Sequence, residues 1–147
     1  MEGKHSIELS MSIEEIWAYI SDINAWASSV PGYVSHEIMN DKHSKWAIKG
    51  DMGILKKTAN LQVEITEWTE PCVVAFQFKS ISGDFSGSGR YEAEAIADNR
   101  TRITGFLEIK PEATSGPMAT MQNKILKKFV PKTTKEMTDA VAGQIIA

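Results

Sequence analysis

The chain of 147 residues is 42% hydrophobic and 24% charged, which predicts one globular domain over residues 1–147 and excludes disordered and low-complexity chains. Its 16 basic and 19 acidic residues give a net charge of −3, so we expect no nucleic-acid partner bound through a basic face. The single cysteine, Cys72, excludes an intrachain disulfide and cysteine-rich zinc sites. A cytoplasmic location is the simplest interpretation, because the acidic N-terminus is unlike a secretory signal and no apolar run approaches the ~20 residues of a spanning helix.

The first predicted elements are a short strand and two short helices. Alternating residues before position 10 predict the strand. Ser12 and Glu15 have the spacing of a capping box, in which each side chain binds the backbone amide of the other, so we expect a helix to begin after Ser12. Asp22 is a second candidate cap and predicts a short helix through Trp26.

Between residues 33 and 112 the hydrophobic period changes to two, and turn residues recur at short intervals. This pattern predicts six further strands, which make about seven with the first. Each strand has one polar and one apolar face, as in an antiparallel meander.

A long C-terminal helix is predicted to open at Gly116-Pro117. Its apolar stripe before Pro131 and the stripe after it differ in phase by about 100°, the rotation of roughly one residue. Since proline removes a helical hydrogen bond, we predict a kink or a short break at Pro131.

The order of these elements resembles the helix-grip fold of the START-like (SRPBCC) superfamily. Within it, the segments Ile13–Trp17, Val30–Gly32 and Asp84–Gly89 are similar to the CoxG-like family associated with carbon monoxide dehydrogenase. The resemblance implies an α+β class, with a curved antiparallel sheet around the C-terminal helix and a ligand cavity between them. It also implies an alternative function as an interaction or assembly factor for a molybdenum-type carbon monoxide dehydrogenase-like enzyme.

The predicted function is non-catalytic binding of a hydrophobic or amphipathic, lipid-like small molecule in that cavity. Tyr91 is the predicted interior hydrogen-bonding group, and small inward residues such as Gly87 and Gly89 are expected where the interior is emptiest. The predicted ligand-binding residues share the inner sheet face or one stripe of the helix: Trp46, Leu61, Phe76, Phe78, Gly87, Gly89, Tyr91, Leu107, Met118, Met121, Ile125 and Phe129.

Other chemistries are less well supported by the residues. His5, His36 and His43 lack metal-ligand spacing, and His36 and His43 are interpreted as surface residues, so no metal or cofactor is predicted. No pair of carboxylates falls on the inner strand face, which favours a binding role over a cyclase- or hydrolase-like enzyme of the same superfamily, the other alternative. The lysines of the C-terminal helix are interpreted as a solvated face, with weak contact to an anionic membrane surface as a second interpretation. Binding of a protein partner is an interpretation that the residues leave open.

Overall fold

The computed structural model describes residues 2–49, 58–83, 85–111 and 116–146, except for the side chains of residues 118, 119, 121–123 and 125. Eleven elements follow one another along these residues. They are β1 (Glu2–Leu9), α1 (Ile13–Ile20), α2 (Ile23–Trp26), a 3-10 turn (Ala27–Ser29), β2 (Tyr33–Ile38), β3 (His43–Lys49), β4 (Thr58–Thr69), β5 (Val73–Ser80), β6 (Phe85–Ala97), β7 (Arg100–Pro111) and α3 (Gly116–Ile145).

The strands form one seven-stranded antiparallel sheet in the order β1-β7-β6-β5-β4-β3-β2. The first strand therefore lies beside the last, and the meander runs from there to the edge strand β2. Helix α3 packs on β1 and β7. The predicted α+β architecture, a curved sheet around a C-terminal helix with two short helices after the first strand, is confirmed.

Both predicted helix caps are present. The Ser12 hydroxyl accepts a hydrogen bond from the Glu15 amide at 3.1 Å, and the Glu15 carboxylate accepts one from the Ser12 amide at 3.4 Å. At the start of α2, the Asp22 carboxylate accepts a hydrogen bond from the amide of Asn24 at 3.1 Å. These bonds satisfy amides that a helix leaves unpaired at its first turn.

Helix α3 continues through Pro131, so the predicted short break is absent. Its buried stripe is continuous because threonines fill the middle of it. Leu126, Val130, Thr134 and Thr138 are all buried at a spacing of four residues, and Ala142 continues the series. Each step of four residues rotates the stripe by about 40° around the helix. The phase difference between its two ends therefore builds up gradually, whereas the apolar residues alone indicated an abrupt change.

Helix α3 approaches the sheet closely at two glycines. A Cβ atom on Gly3 of β1 would lie 2.3 Å from the Thr134 Oγ1 atom, and one on Gly105 of β7 would lie 2.4 Å from the Thr138 Oγ1 atom. The two hydroxyls donate to the carbonyls of Val130 and Thr134, each at 2.7 Å, so they are satisfied although buried. Glycine is required at both strand positions because any side chain would displace the helix.

The buried core consists of two clusters at different levels of α3. One joins α1 and the sheet to Val141 and Ala142, and the other joins Phe85 and Ile109 to Leu126 and Val130. No helix in the described part of the chain has the length and apolar character needed to span a membrane.

Candidate functional site

A cavity of about 140 Å³ lies between the inner sheet face, the α2 segment and α3. Strands β3, β4, β5 and β7 supply most of its wall. Among the described residues its lining is apolar and rich in aromatic rings, with Ser44 and Thr133 as the polar members, and it includes no ionisable side chain. Its aromatic side chains are Trp26, Trp46, Phe76, Phe78, Phe85 and Phe129.

The inward side chains around this cavity are incompletely buried. Leu61, Val63 and Ile65 on β4 and Phe76 and Phe78 on β5 face α3, yet all five are only half-buried. Inward side chains of a close-packed core would be buried. The space between the two core clusters is therefore not filled by these side chains.

A smaller cavity of about 60 Å³ adjoins the first. The two share Trp26, Val74, Phe76, Leu107 and Met137 in their walls. The residues that line only the smaller one include Tyr91, Ile103, Gly105, Thr134 and Thr138. The two cavities therefore lie side by side along α3, and they are called the larger lobe and the smaller lobe.

Tyr91 lines the smaller lobe and carries an unpaired polar group. Its hydroxyl oxygen is buried and has no hydrogen-bond partner among the described residues. Burial raises the pKa of Tyr91 well above its usual range, and the neighbouring Cys72 thiol adds to that rise. The phenol is therefore neutral at physiological pH and retains an O–H group to donate.

Trp46 is the centre of an aromatic group beside the larger lobe. The rings of His36 and Trp26 stack with it at centroid distances of 5.0 Å and 6.0 Å, and its indole N–H donates to the Ser44 hydroxyl at 2.8 Å. His36 Nδ1 accepts a hydrogen bond from the Tyr33 hydroxyl at 2.6 Å.

His36 also connects β2 to the α2 segment. Its Nε2 atom lies 2.7 Å from the Asn24 side-chain oxygen, to which it donates. The interpretation of His36 as a surface residue is wrong, because it pairs across strands with Trp46 and shares its inward face.

The other two histidines lie away from the lobes. His5 Nε2 is 2.9 Å from a carboxylate oxygen of Asp139 on α3. His43 Nε2 is 3.1 Å from Glu64 at an exposed position. The described residues contain no group of three or more His, Cys, Asp or Glu side chains arranged to hold a metal ion.

Seven of the predicted ligand-binding residues line the two lobes. Trp46, Leu61, Phe76, Phe78, Leu107 and Phe129 line the larger, and Tyr91 lines the smaller, as Phe76 and Leu107 also do. The side chains of Met118, Met121 and Ile125 lie outside the described residues.

The expectation of empty space beside Gly87 and Gly89 is wrong. A Cβ atom on Gly89 would lie 2.2 Å from the Phe76 Cζ atom. A Cβ atom on Gly87 would lie 2.2 Å from the Glu108 backbone oxygen and 2.6 Å from the Phe78 Cζ atom. Each glycine pairs across strands with the phenylalanine whose ring covers it. The glycines make room for those rings, and neither lines the two lobes.

Part of the lining was missed by the sequence argument. Val63 and Ile65 have the same strand parity as Leu61, so alternation alone was sufficient to find them. Val30 and Pro31 follow the 3-10 turn, where no period reports which way a side chain points.

The comparisons with known proteins agree with this architecture. A protein-family model matches residues 1–146. A conserved protein from Geobacillus kaustophilus superposes with a TM-score of 0.81 at 18% identity, covering 99% of this chain and 95% of that one. A START superfamily protein from Mycobacterium smegmatis gives a TM-score of 0.74 at 13% identity, covering 99% and 97%. The chain has the START-like helix-grip fold.

A third similar structure is an aromatase/cyclase from a Streptomyces species, with a TM-score of 0.77, 14% identity and coverage of 99% of this chain and 93% of that one. The TM-scores establish the shared fold. Identities this low carry no information on activity, which has to be argued from the residues of this chain. The search of the curated proteins found no match.

Proposed function

We propose that this START-like protein binds a hydrophobic or amphipathic small molecule in the two-lobed cavity between the sheet and α3. The observation that supports the proposal best is the half-buried set of inward side chains around an apolar volume of about 140 Å³. An engineered cavity of about 150 Å³ with Leu, Ile and Phe walls is large enough to bind benzene. A molecule with one or two rings fits the combined lobes on this scale.

Burial of apolar surface is the driving force in this proposal. Each Å² of apolar surface removed from water contributes roughly 25 cal/mol before the entropic cost of association is subtracted. The aromatic walls add preferred edge and face contacts with ligand rings. Among the six predicted contact residues of the larger lobe, four carry aromatic rings: Trp46, Phe76, Phe78 and Phe129.

The test fills the larger lobe from a wall position. Val63→Phe adds a ring beside the cavity, whereas Gln62→Phe adds the same side chain on the exposed opposite face of β4. We expect Val63→Phe to weaken binding of an apolar fluorescent probe at least fivefold and Gln62→Phe to leave it unchanged. Native mass spectrometry of freshly purified protein is the second measurement, and a co-purified small-molecule mass is expected.

A wild-type protein that binds no apolar probe would remove the basis of the proposal. In that case Val63→Phe would be an overpacked core variant, with a loss of roughly 1–3 kcal/mol in unfolding free energy. Thermal melts of all three proteins separate a filled cavity from an unstable fold.

Two finer assignments stay predictions from the sequence. A role in assembling a carbon monoxide dehydrogenase-like enzyme rests on the similarity of Ile13–Trp17, Val30–Gly32 and Asp84–Gly89 to the CoxG-like family. A stoichiometric protein partner in the native mass spectra would support it. A cyclase- or hydrolase-like activity needs an acid–base pair that touches the ligand, and turnover of a bound substrate would support that alternative.

A further inference from the structure

We propose that the ligand is an uncharged, compact aromatic molecule carrying one hydrogen-bond acceptor that binds the Tyr91 hydroxyl. The inference rests on the proposed function and specifies its ligand class. Three features of the two lobes carry it: their charge, the buried Tyr91 hydroxyl that has no hydrogen-bond partner among the described residues, and their size.

The charge of the walls opposes an anionic ligand. Among the described residues, the lining of the larger lobe contains no ionisable side chain, and Arg90 is the one cation that borders the smaller lobe. Its guanidinium is already paired with Glu67 at 2.8 Å and with Glu92 at 2.5 Å. A carboxylate or phosphate placed between these walls would lose its hydration without gaining a counter-ion, which is strongly unfavourable.

The hydrogen-bonding groups favour a ligand with one acceptor. The Thr134 and Thr138 hydroxyls donate to backbone carbonyls, and the Ser44 hydroxyl accepts the indole N–H of Trp46. The Tyr91 hydroxyl has no such partner among the described residues. A buried donor without an acceptor is unfavourable, so a ligand that supplies a carbonyl, ether or hydroxyl oxygen gains more than its own hydrogen bond.

The size of the lobes limits the length of the ligand. The larger lobe, of about 140 Å³, holds an aromatic core between the rings of Trp46, Phe76 and Phe78. The smaller lobe, of about 60 Å³, takes the polar end beside Tyr91. A fused two-ring ketone has this shape, whereas an extended fatty-acid chain exceeds it and carries the wrong charge.

Three probes of equal size separate these features. Acetylnaphthalene has a neutral acceptor, isopropenylnaphthalene replaces its carbonyl oxygen with a methylene group, and naphthoate is the matching anion. Quenching of tryptophan fluorescence reports binding because Trp26 and Trp46 line the larger lobe, and equilibrium dialysis provides an independent affinity. The variant is Tyr91→Phe. The control is Tyr19→Phe. In the wild type the Tyr19 hydroxyl donates to the Ala25 carbonyl at 3.0 Å, and Tyr19 lines neither lobe.

We expect the wild type to prefer the ketone to the hydrocarbon by about three- to tenfold, the range of one neutral hydrogen bond. Tyr91→Phe should abolish that preference without weakening the hydrocarbon, and Tyr19→Phe should retain it. Naphthoate should bind at least tenfold more weakly than the ketone.

Ligand binding and the assigned ligand class are contradicted by different results. Equal binding of ketone and hydrocarbon by the wild type, or a preference that survives in Tyr91→Phe, overturns the acceptor assignment while ligand binding stands. Naphthoate that binds as tightly as the ketone overturns the uncharged class. If no probe binds to the wild type, the proposed function fails and this inference fails with it. The wild-type comparison of the three probes tests the preference for an acceptor and for an uncharged ligand even if Tyr91→Phe does not fold.

Discussion

Replacing Gly105 with alanine tests the close approach of α3 to the sheet. The new Cβ atom would lie 2.4 Å from the Thr138 Oγ1 atom, about 1 Å less than ordinary van der Waals contact. The next nearest atoms, Cβ and Cγ2 of Thr138, are at 3.6 Å and 3.9 Å, so a single oxygen makes the clash. That oxygen is held by its hydrogen bond to the Thr134 carbonyl. We expect Gly105→Ala to lower the unfolding free energy by roughly 1–3 kcal/mol, the cost of overpacking a core.

A double-mutant cycle isolates the oxygen. Thr138→Ala removes it together with one hydrogen bond, at a cost of about 1 kcal/mol. In the double variant the Cβ atom of Gly105→Ala meets only a methyl group at an ordinary distance. The two changes together should therefore destabilise the protein less than their sum, by at least about 1 kcal/mol, in urea titrations followed by circular dichroism.

The same cycle at Gly3 and Thr134 is the matched control. There the added Cβ atom would also lie 2.9 Å from the backbone oxygen of Val130, which Thr134→Ala does not remove. Thr134→Ala should therefore restore clearly less of the stability lost at Gly3 than Thr138→Ala restores at Gly105. Additive effects at Gly105, or equal rescue at both sites, would refute the assignment of the clash to one side-chain oxygen.

Three further variants test other parts of the structure. Gly89→Ala should push the Phe76 ring into the lobes it lines and weaken apolar-probe binding several-fold, with a loss of stability of about 1 kcal/mol, the lower end of overpacking costs, because the ring has open space to move into. A large loss of stability with unchanged binding would contradict this. Gly143→Ala places a methyl group in open space on an exposed part of α3, so urea titration should show a gain of about 0.5–1 kcal/mol, and no gain would count against it. The raised pKa of Tyr91 means that the unfolded chain loses this proton first as pH rises above about 10, so folding stability should fall there. Tyr91→Phe should show a smaller alkaline loss in urea titrations, and an equal loss would contradict the role of Tyr91.

Local patterns determined the secondary structure and its order. The Ser12–Glu15 capping box concerns hydrogen bonds within four residues, and strand alternation concerns adjacent residues, so both are encoded over short stretches of sequence. The inner-face assignment of Leu61, Phe76 and Leu107 followed from the same alternation, and each lines the larger lobe.

Tertiary packing decided which residues of α3 are buried, and the hydrophobic period of the sequence did not show this. Thr134 and Thr138 belong to the buried stripe of α3 because Gly3 and Gly105 bring the strands close enough to cover their hydroxyls. An apolar-residue pattern omits threonine, and for that reason it predicted an interruption of the stripe at Pro131.

The interior space itself was decided only by the three-dimensional structure. A cavity is the volume that remains after long-range packing, so it depends on sheet curvature and on which rings turn over which glycines. The chain alone placed Gly89 and Phe76 on one face, but only their pairing across β5 and β6 shows that the ring fills the space above the glycine. Strand pairing also places His36 on the inward face beside Trp46. The register between β2 and β3 is fixed by contacts between the strands and not by either strand alone.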